Sequence, residues 1–400
     1  MPDLLLGRAV VDITPPVGLH LSGWAQDRYS TWIHHPLTCR VLLLRKNDHT
    51  VVLVALDVLG VSSELANEIR ASVDEKLGID PAFVMLAATH THSGPVLPPW
   101  RLDLIPPPDE LYVAELKRKI VGAVSAASRF LQPVAVGFGR GWGDLAINRR
   151  LPFDNGKVGY PPRAHPEGPV DQEIGVLRFD SLDGPTLAIL FSYGCHPTVG
   201  GPSLWIGPDY PGPARDLLES YFENSMALFL LGNCGDVRAN YTLSDGSFLW
   251  DSTTGLVERA GARVGAEVLK AAVQIETERS PQLSAGRSLS DIYTAEGTVT
   301  PSCEFQAFLI GEAAIVTNPA ECFAQIGLDV RPKADLPLVF SSITNGLLGY
   351  VPTEDAYAFG GYEVEMSYRG FGLPSPIRED GGSILREGML AALREAVRSS

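Results

Sequence analysis

Apolar positions along the chain fall into short runs that are separated by longer segments with helical periodicity. Residues 39–45 and 51–58 are rich in β-branched side chains and flank a polar turn, which predicts a hairpin. A helix is predicted next, because Ser62 or Ser63 can cap its start and Gly78 can end it. With the apolar run that follows, this opening is β-β-α-β, so an α/β fold is expected.

The alternation of strands and helices continues to the end of the chain. Residues 139–170 are the exception, because they are rich in glycine and proline and lack periodicity; we expect a long loop that covers a site. No internal repeat is visible, which favours one domain over residues 1–400 with a mixed β-sheet flanked by helices. The predicted strands are 83–88, 134–138, 173–179, 186–193, 227–231, 305–310, 313–316 and 338–343, and the further helices are 106–130, 210–222, 254–275 and 383–397.

Composition narrows the class of partner. Thirty-two basic against 47 acidic residues give a formal charge of −15, and no basic run occurs, which argues against nucleic acid and against stable membrane association. We therefore expect a small-molecule substrate; a homo-oligomer is left open. The N-terminus lacks a signal-peptide pattern, so a cytoplasmic location is expected. Five scattered cysteines predict reduced thiols rather than a disulfide framework.

The first candidate for chemistry is the sequence THTHSGP at 89–95, directly after a predicted strand. In extended backbone, His90 and His92 would project from the same side. Such a pair supplies two metal ligands, or one ligand and one general acid/base, because neutral imidazole binds zinc and titrates near neutrality. Hydrogen bonding of both rings within the loop is the alternative.

Other strand ends carry further candidates. His196 follows the strand over 186–193, Glu321 is expected in the first turn of a helix after 313–316, and Tyr350 follows 338–343. Together with the histidine pair they form a nitrogen and oxygen donor set that suits zinc with an open coordination position.

Seven short blocks occur in order over about residues 7–370. They are DITPP at 12–16, THTHSGP at 89–95, Asn148-Arg149, HPT at 196–198, NCGDV at 233–237, Pro319-Ala320-Glu321 and Tyr362-Glu363. These blocks resemble the signature blocks of the neutral ceramidases, and the THTHSGP and NxGDV blocks are the most specific of them.

This resemblance implies a zinc amidase with an α/β catalytic domain. It implies that the metal ligands are His90, His196, Glu321 and Tyr350, and that His92, Arg149 and Tyr362 surround the scissile group. Zinc would polarise the carbonyl and activate water, His92 would protonate the leaving amine, and the other two would stabilise the oxyanion or fix the substrate. The competing interpretations are a surface ion pair for Arg149 and aromatic packing for the two tyrosines. Asp57 and Asp236 are expected to support ligands or cap backbone rather than bind metal.

Two departures separate this chain from the family pattern. The ceramidases carry an active-site serine directly after NxGDV, whereas this chain has Arg238. The residues after Glu321 also lack the family's paired threonines. Moreover, the sequence ends soon after the catalytic region, so the C-terminal β-sandwich of those enzymes is not expected.

These departures shape the functional hypothesis. We expect a zinc-dependent hydrolase that cleaves the amide bond of a small, soluble N-acyl substrate. Arg238 and Asn233 are expected to contact that substrate. The substrate is expected to be anionic, because arginine binds carboxylates in a bidentate fashion. Membrane-borne ceramide is expected to be a poor substrate. Ester or lactone hydrolysis on the same zinc site, and a catalytically inactive ceramidase-like binding protein, are the alternatives.

Overall fold

The computed structural model describes residues 4–98, 105–250, 253–279, 281–301 and 303–399. The strands in these ranges are β1 (Leu4–Asp12), β2 (Trp32–Ile33), β3 (Thr38–Lys46), β4 (His49–Leu56), β5 (Val84–Ala88), β6 (Gln132–Trp142), β7 (Ala146–Asn148), β8 (Glu173–Ser181), β9 (Thr186–Tyr193), β10 (Trp205–Ile206), β11 (Met226–Leu231), β12 (Val237–Ala239), β13 (Glu278–Arg279), β14 (Leu283–Ser290), β15 (Cys303–Ile310), β16 (Ala313–Thr317), β17 (Glu321–Cys322), β18 (Leu338–Ser341) and β19 (Tyr350–Val351).

Helix boundaries follow local capping signals. Ser62 Oγ accepts from the amide of Leu65 at the start of the first helix, and Gly78 ends that helix in the left-handed conformation. Asp109 caps the second helix in the same way. The helices are α1 (Ser63–Leu77), α2 (Glu110–Arg129), α3 (Pro211–Tyr221), α4 (Thr254–Ala272), α5 (Ala324–Val330), α6 (Ala356–Phe359), α7 (Tyr362–Glu365) and α8 (Gly381–Arg398).

The largest sheet is mixed. Its nine described strands run in the order β11-β9-β8-β6-β1-β3-β4-β5, with β13 paired to β6. The pairs β11–β9 and β4–β5 are parallel, and the pairs between β9 and β4 along this order are antiparallel. A second sheet has the order β14-β15-β16-β18, in which β16 and β18 are parallel. The predicted mixed α/β architecture is therefore confirmed.

The two sheets pack face to face, and helices cover both outer faces. On β3, Leu42 and Leu44 join the apolar layer between the sheets, whereas Val41 and Leu43 lie on the opposite face, where α2 contacts the strand. All four side chains are fully buried. Helix α8 packs on β14 and β15 at the far side of the small sheet. Strands covered on both faces are continuously apolar, which explains the unbroken hydrophobic runs in the sequence.

A short segment after β18 joins the two edges of the large sheet. Ser342 N donates to Leu231 O of β11 at 2.7 Å, while Asn345 N donates to Leu86 O of β5 at 2.8 Å. The carboxyl ends of β5, β9 and β11 therefore lie close to those of β16 and β18. Side chains that follow these strands are brought to one place.

Several predicted boundaries are wrong. The loop predicted over 139–170 instead contains the end of β6 and the whole of β7, and the short strand β12 was not predicted. These strands are short or glycine-containing, so no apolar alternation reveals them. All five cysteines are buried free thiols, as predicted. None of the helices in the described ranges is long and apolar enough to span a bilayer.

Candidate active site

Four of the predicted side chains meet where these strands end. His90 follows β5, His196 follows β9, and Glu321 and Tyr350 occupy β17 and β19. These two short strands are parallel, with Glu321 directly opposite Tyr350 in register. The expectation that Glu321 begins a helix is wrong: it lies in an extended segment that precedes α5. The pairing of β17 with β19 places the Glu321 carboxylate beside the Tyr350 hydroxyl.

The histidine pair adopts a different backbone from the one predicted. His90 has φ of +67°, so the segment is not extended, and the argument from alternation does not hold. The rings are nevertheless close, with centroids 4.9 Å apart for His90 and His92 and 5.0 Å apart for His90 and His196. The left-handed turn aims His90 toward the centre of the site.

Each imidazole is held by a backbone carbonyl. His90 Nδ1 lies 2.6 Å from Leu59 O, and His196 Nδ1 lies 2.8 Å from Cys234 O. Because a carbonyl only accepts, Nδ1 carries the proton in each ring, and the lone pair of a neutral imidazole sits on Nε2. Burial lowers the pKa of His196 to about 4, so its ring is neutral at pH 7.

The Nε2 atoms face a carboxylate across a very short gap. Glu321 Oε2 lies 3.0 Å from His196 Nε2 and 3.3 Å from His90 Nε2. Burial opposes ionisation of Glu321, but His90 and His196 hold the pKa of this carboxyl well below its ordinary value. The Tyr350 hydroxyl lies 3.5 Å from His196 Nε2. Several electron-pair donors therefore surround one point.

This donor set fits a metal ion. Ligand atoms of His90, His92 and His196 lie within 4.8 Å of one another. The Nε2 atoms of His90 and His92 are buried without a hydrogen-bond partner, although buried polar atoms are normally satisfied. A divalent cation would satisfy these atoms and separate the carboxylate from the imidazole lone pairs. Two nitrogens with carboxylate and phenol oxygens are ligands that zinc accepts.

His92 lies at the edge of this group and faces the cleft. Its Nδ1 lies 2.8 Å from Gly23 O, and its ring packs edge-on against Trp24 at 5.4 Å. Burial and the neighbouring imidazoles of His90 and His196 lower the pKa of His92 well below its ordinary value. Its ring is therefore a neutral proton acceptor whose Nε2 is free.

Gly23 is required where it contacts His92. Its φ is +90°, and a Cβ at this position would lie 2.5 Å from the Cγ and Nδ1 atoms of His92. Only glycine satisfies both conditions.

Arg149 is fixed beside the donor set by three acceptors. It donates to Glu363 Oε1 at 2.9 Å, to Gly235 O at 2.8 Å and to the Tyr350 hydroxyl at 3.1 Å. Burial opposes its charge, but Tyr350 and Glu363 raise the pKa of Arg149 well above its ordinary value. Glu363 also accepts from Arg150 at 2.5 Å. Arg149 is thus part of a buried network and not of a surface ion pair.

Arg238 lies in an aromatic box on the opposite wall. It is paired with Ile147 across β12 and β7, and its guanidinium lies 4.0 Å from the ring centroid of Trp250, 5.2 Å from that of Phe248 and 5.9 Å from that of Trp24. Its polar contacts are long, at 3.4 and 3.5 Å, and none in the described part of the chain is to a carboxylate. Burial, with a contribution from Arg149, lowers its pKa to about 10.

These groups open into one cleft with a volume of about 290 Å³. Tyr362 lines it, with its ring 5.6 Å from that of Tyr350. Arg369 lies exposed against Tyr368 in the same wall. The residues that line the cleft are Gly23, Trp24, Ala25, His92, Arg149, Tyr160, Pro162, Thr198, Arg238, Trp250, Tyr350, Tyr362, Glu363, Met366, Ser367, Arg369 and Gly370.

Asn233 does not belong to this cleft, which corrects its predicted role in substrate binding. Its Oδ1 accepts from Asn318 Nδ2 at 3.1 Å and from Ser342 Oγ at 2.9 Å, so the side chain ties together the loops after β11, β16 and β18. Asp57 and Asp236 also lie outside the donor set. Asp57 forms a bidentate ion pair with Arg215, and Asp236 accepts from the amide of Ala324 at 2.8 Å.

Several side chains that line the cleft were given no role from the sequence. Glu363 stands in the Tyr362-Glu363 block, and its position beside that tyrosine was the only signal for it. Trp24, Trp250 and Arg369 lie in irregular segments without periodicity. Only the tertiary fold brings them to the cleft.

Comparisons with known proteins identify a matching family model, a related sequence and related folds. The family model "Neutral/alkaline non-lysosomal ceramidase, N-terminal" matches residues 4–254. Among curated proteins, the neutral ceramidase of Pseudomonas aeruginosa is 26% identical over 273 residues, which are 65% of this chain and 38% of the relative. The matched region thus spans little more than a third of that relative.

Solved structures show the same fold. A crystal structure of neutral ceramidase from Pseudomonas aeruginosa matches with a TM-score of 0.83 at 21% identity, covering 99% of this chain and 75% of that chain. A structure described as ceramidase complexed with C2 matches with a TM-score of 0.80 at 19% identity, covering 99% of this chain and 76% of that one. At these identities the likeness shows the fold.

Proposed function

Because the chain belongs to the neutral/alkaline non-lysosomal ceramidase family, we propose that it is a zinc-dependent hydrolase of the amide bond in a small, soluble, anionic N-acyl compound. One observation carries the proposal. The acceptor atoms of His90, His196 and Glu321 converge beside an unpaired His92 Nε2 at the base of a cleft. The cleft is also lined by Arg238 and Arg369, which have no carboxylate partner in the described ranges.

His90, His196, Glu321 and Tyr350 would hold the metal. Zinc bound there would supply Lewis-acid polarisation of the amide carbonyl and an activated water nucleophile. The Nδ1 bonds of His90 and His196 to backbone carbonyls fix both the tautomer and the ring orientation that ligation requires. These ligands therefore need little rearrangement to bind an ion.

His92 moves the proton. Its Nδ1 bond to Gly23 O leaves Nε2 without a partner beside the cleft, and because its pKa is low the ring is neutral and can accept a proton at rest. The proton taken from the attacking water is passed to the amide nitrogen, so that the C–N bond breaks to release a neutral amine. One water is consumed, and a carboxylic acid and an amine are formed.

Arg149 and Tyr362 act on the carbonyl oxygen and the substrate. Glu363 and Gly235 O orient the Arg149 guanidinium, so its donors toward the cleft are fixed before substrate binds. Burial, and then Glu321, raise the pKa of Tyr362, so its hydroxyl remains a hydrogen-bond donor at neutral pH. Both groups can stabilise negative charge that develops on the oxygen.

The substrate class follows from charge. Arg238 is buried against Trp250, and Arg369 lies at the exposed wall, in a protein whose formal charge is −15. Asp209 lies near enough to attract the Arg238 charge but does not contact it. A buried guanidinium with no carboxylate in contact favours an anionic ligand, because a carboxylate provides the paired acceptors that water no longer can. A neutral lipid amide would leave Arg238 unsatisfied.

Metal analysis and a substrate panel test the proposal together. We expect about one zinc per chain, lost in His90→Ala and His196→Ala, and a higher kcat/KM for short N-acyl amino acids than for detergent-dispersed ceramide. Stoichiometric zinc in both variants would show that the metal site is wrong. A higher kcat/KM for ceramide would overturn the substrate class, and turnover confined to esters or lactones would overturn the amidase assignment.

A further inference from the structure

A second cluster of metal-ligating side chains lies on the surface, apart from the cleft. His34 and His35 directly follow β2, Glu258 is on α4 and Asp216 is on α3. The amides of His34 and His35 both donate to Ile206 O of β10, at 2.9 and 3.4 Å. The histidines are therefore held by the backbone, and the acids come from two packed helices.

Both imidazoles converge on one carboxylate oxygen. Glu258 Oε1 lies 3.2 Å from His34 Nε2 and 3.0 Å from His35 Nε2. Ligand atoms of these three residues lie within 4.8 Å of one another. The ring centroids of His34 and His35 are 4.6 Å apart, so the two nitrogens reach the oxygen from different directions.

Asp216 approaches the His35 ring from the side away from Glu258. Its Oδ2 lies 3.5 Å from His35 Nδ1, on the side of the ring opposite the shared oxygen. A carboxylate in this position fixes the tautomer and makes the other nitrogen a better metal ligand. Burial, and then His35, lower the pKa of His34, which keeps its ring neutral and able to coordinate at neutral pH.

We propose that His34, His35 and Glu258 bind one divalent transition-metal ion of the zinc class, with Asp216 positioning His35. Two nitrogens and one oxygen are a donor set for zinc, and the partial exposure of Glu258 leaves room for water to complete the coordination. This site is distinct from the buried donor set. It shares no ligand with that set.

A bound ion would connect α4 to the segment after β2. That segment packs on β10, and Gly207 directly beyond β10 donates to Ser93 O at 3.0 Å and accepts from Thr91 Oγ1 at 2.6 Å. The ion would therefore brace the backbone that carries the THTHSGP loop, and we expect it to stabilise the folded protein by mass action.

The test uses calorimetric titration with Ni²⁺ and Zn²⁺ on the full chain carrying His90→Ala and His196→Ala, so that the buried site does not contribute. We expect one ion to bind. Added His35→Ala or Glu258→Gln should abolish this binding, and Asp216→Asn should weaken it about 10- to 100-fold. His49→Ala removes an exposed histidine at the start of β4 and is the matched control.

Thermal unfolding of the otherwise unsubstituted chain supplies a second readout. Excess Zn²⁺ should raise its unfolding temperature, and should do so less in Glu258→Gln than in His49→Ala. Absence of any bound ion in the double variant, or unchanged affinity after His35→Ala and Glu258→Gln, would overturn the proposal. Neither result depends on whether the buried site catalyses hydrolysis.

Discussion

Replacing Arg238 with methionine should raise stability while lowering activity on acids. Methionine preserves most of the apolar volume against Trp250 but removes the charge, and Arg238 has no carboxylate partner in the described part of the chain. The guanidinium that we propose binds an anionic substrate is thus a cost to the folded protein before substrate arrives. This one variant should therefore show a higher free energy of unfolding together with lower activity on acidic substrates.

The magnitude follows from the pKa. A fall from the ordinary value of arginine to about 10 corresponds to about 3 kcal/mol, at 1.36 kcal/mol per pKa unit. Because the folded pKa is below the unfolded one, this cost is present in full at pH 7 and disappears only as pH rises above about 10. Loss of the cation–π contact with Trp250 offsets about 1–2 kcal/mol of it. We therefore expect Arg238→Met to gain about 1–2 kcal/mol in free energy of unfolding.

The activity loss should depend on substrate charge. A charge-assisted contact is worth about 1.5–3 kcal/mol, which is about 10- to 150-fold in kcat/KM. The assay compares an N-acyl amino acid with an analogue in which a hydroxymethyl group replaces the carboxylate, alongside urea unfolding at equal zinc content. Arg238→Lys keeps a charge and should retain part of the preference for the acid. Loss of stability, or equal kinetic loss on both substrates, would show that Arg238 only packs the wall.

Two further predictions concern the supporting residues. Gly23→Ala should lower kcat about 100-fold with zinc content unchanged, because its Cβ would displace His92. Gly18→Ala should not lower kcat, because Gly18 has a similar φ of +99° but faces open space. Equal effects of the two substitutions would assign the loss to backbone strain. Asp57→Leu should lower the free energy of unfolding in urea by about 3–5 kcal/mol, because it leaves the Arg215 charge buried and uncompensated. Adding Arg215→Met should recover much of that loss, and no recovery would refute the ion-pair explanation. Burial opposes the charge of Asp57, but Arg215 lowers its pKa, so the stabilisation should be present above about pH 4 and fade as pH falls further.

Local signals in the sequence were sufficient for much of the fold. The hairpin of β3 and β4 and the helix α1 between Ser62 and Gly78 were predicted because turn chemistry and caps act over a few residues. The histidines and Glu321 were found as candidates because motif blocks preserve their residue types. Composition likewise predicted free thiols.

The direction of each side chain was decided by the tertiary structure. His90 points inward through a left-handed backbone that alternation does not predict, Glu321 lies opposite Tyr350 because β17 pairs with β19, and Asn233 turns away to join Asn318 and Ser342. These outcomes depend on contacts between residues that are distant in the sequence: Glu321 and Tyr350 are 29 positions apart, and Asn233 and Ser342 are 109 positions apart. A sequence pattern determines the hydrophobic period and the secondary-structure propensity within one helix or strand. The packing of the two sheets, and the segment that joins their edges, determines which residues from different elements meet.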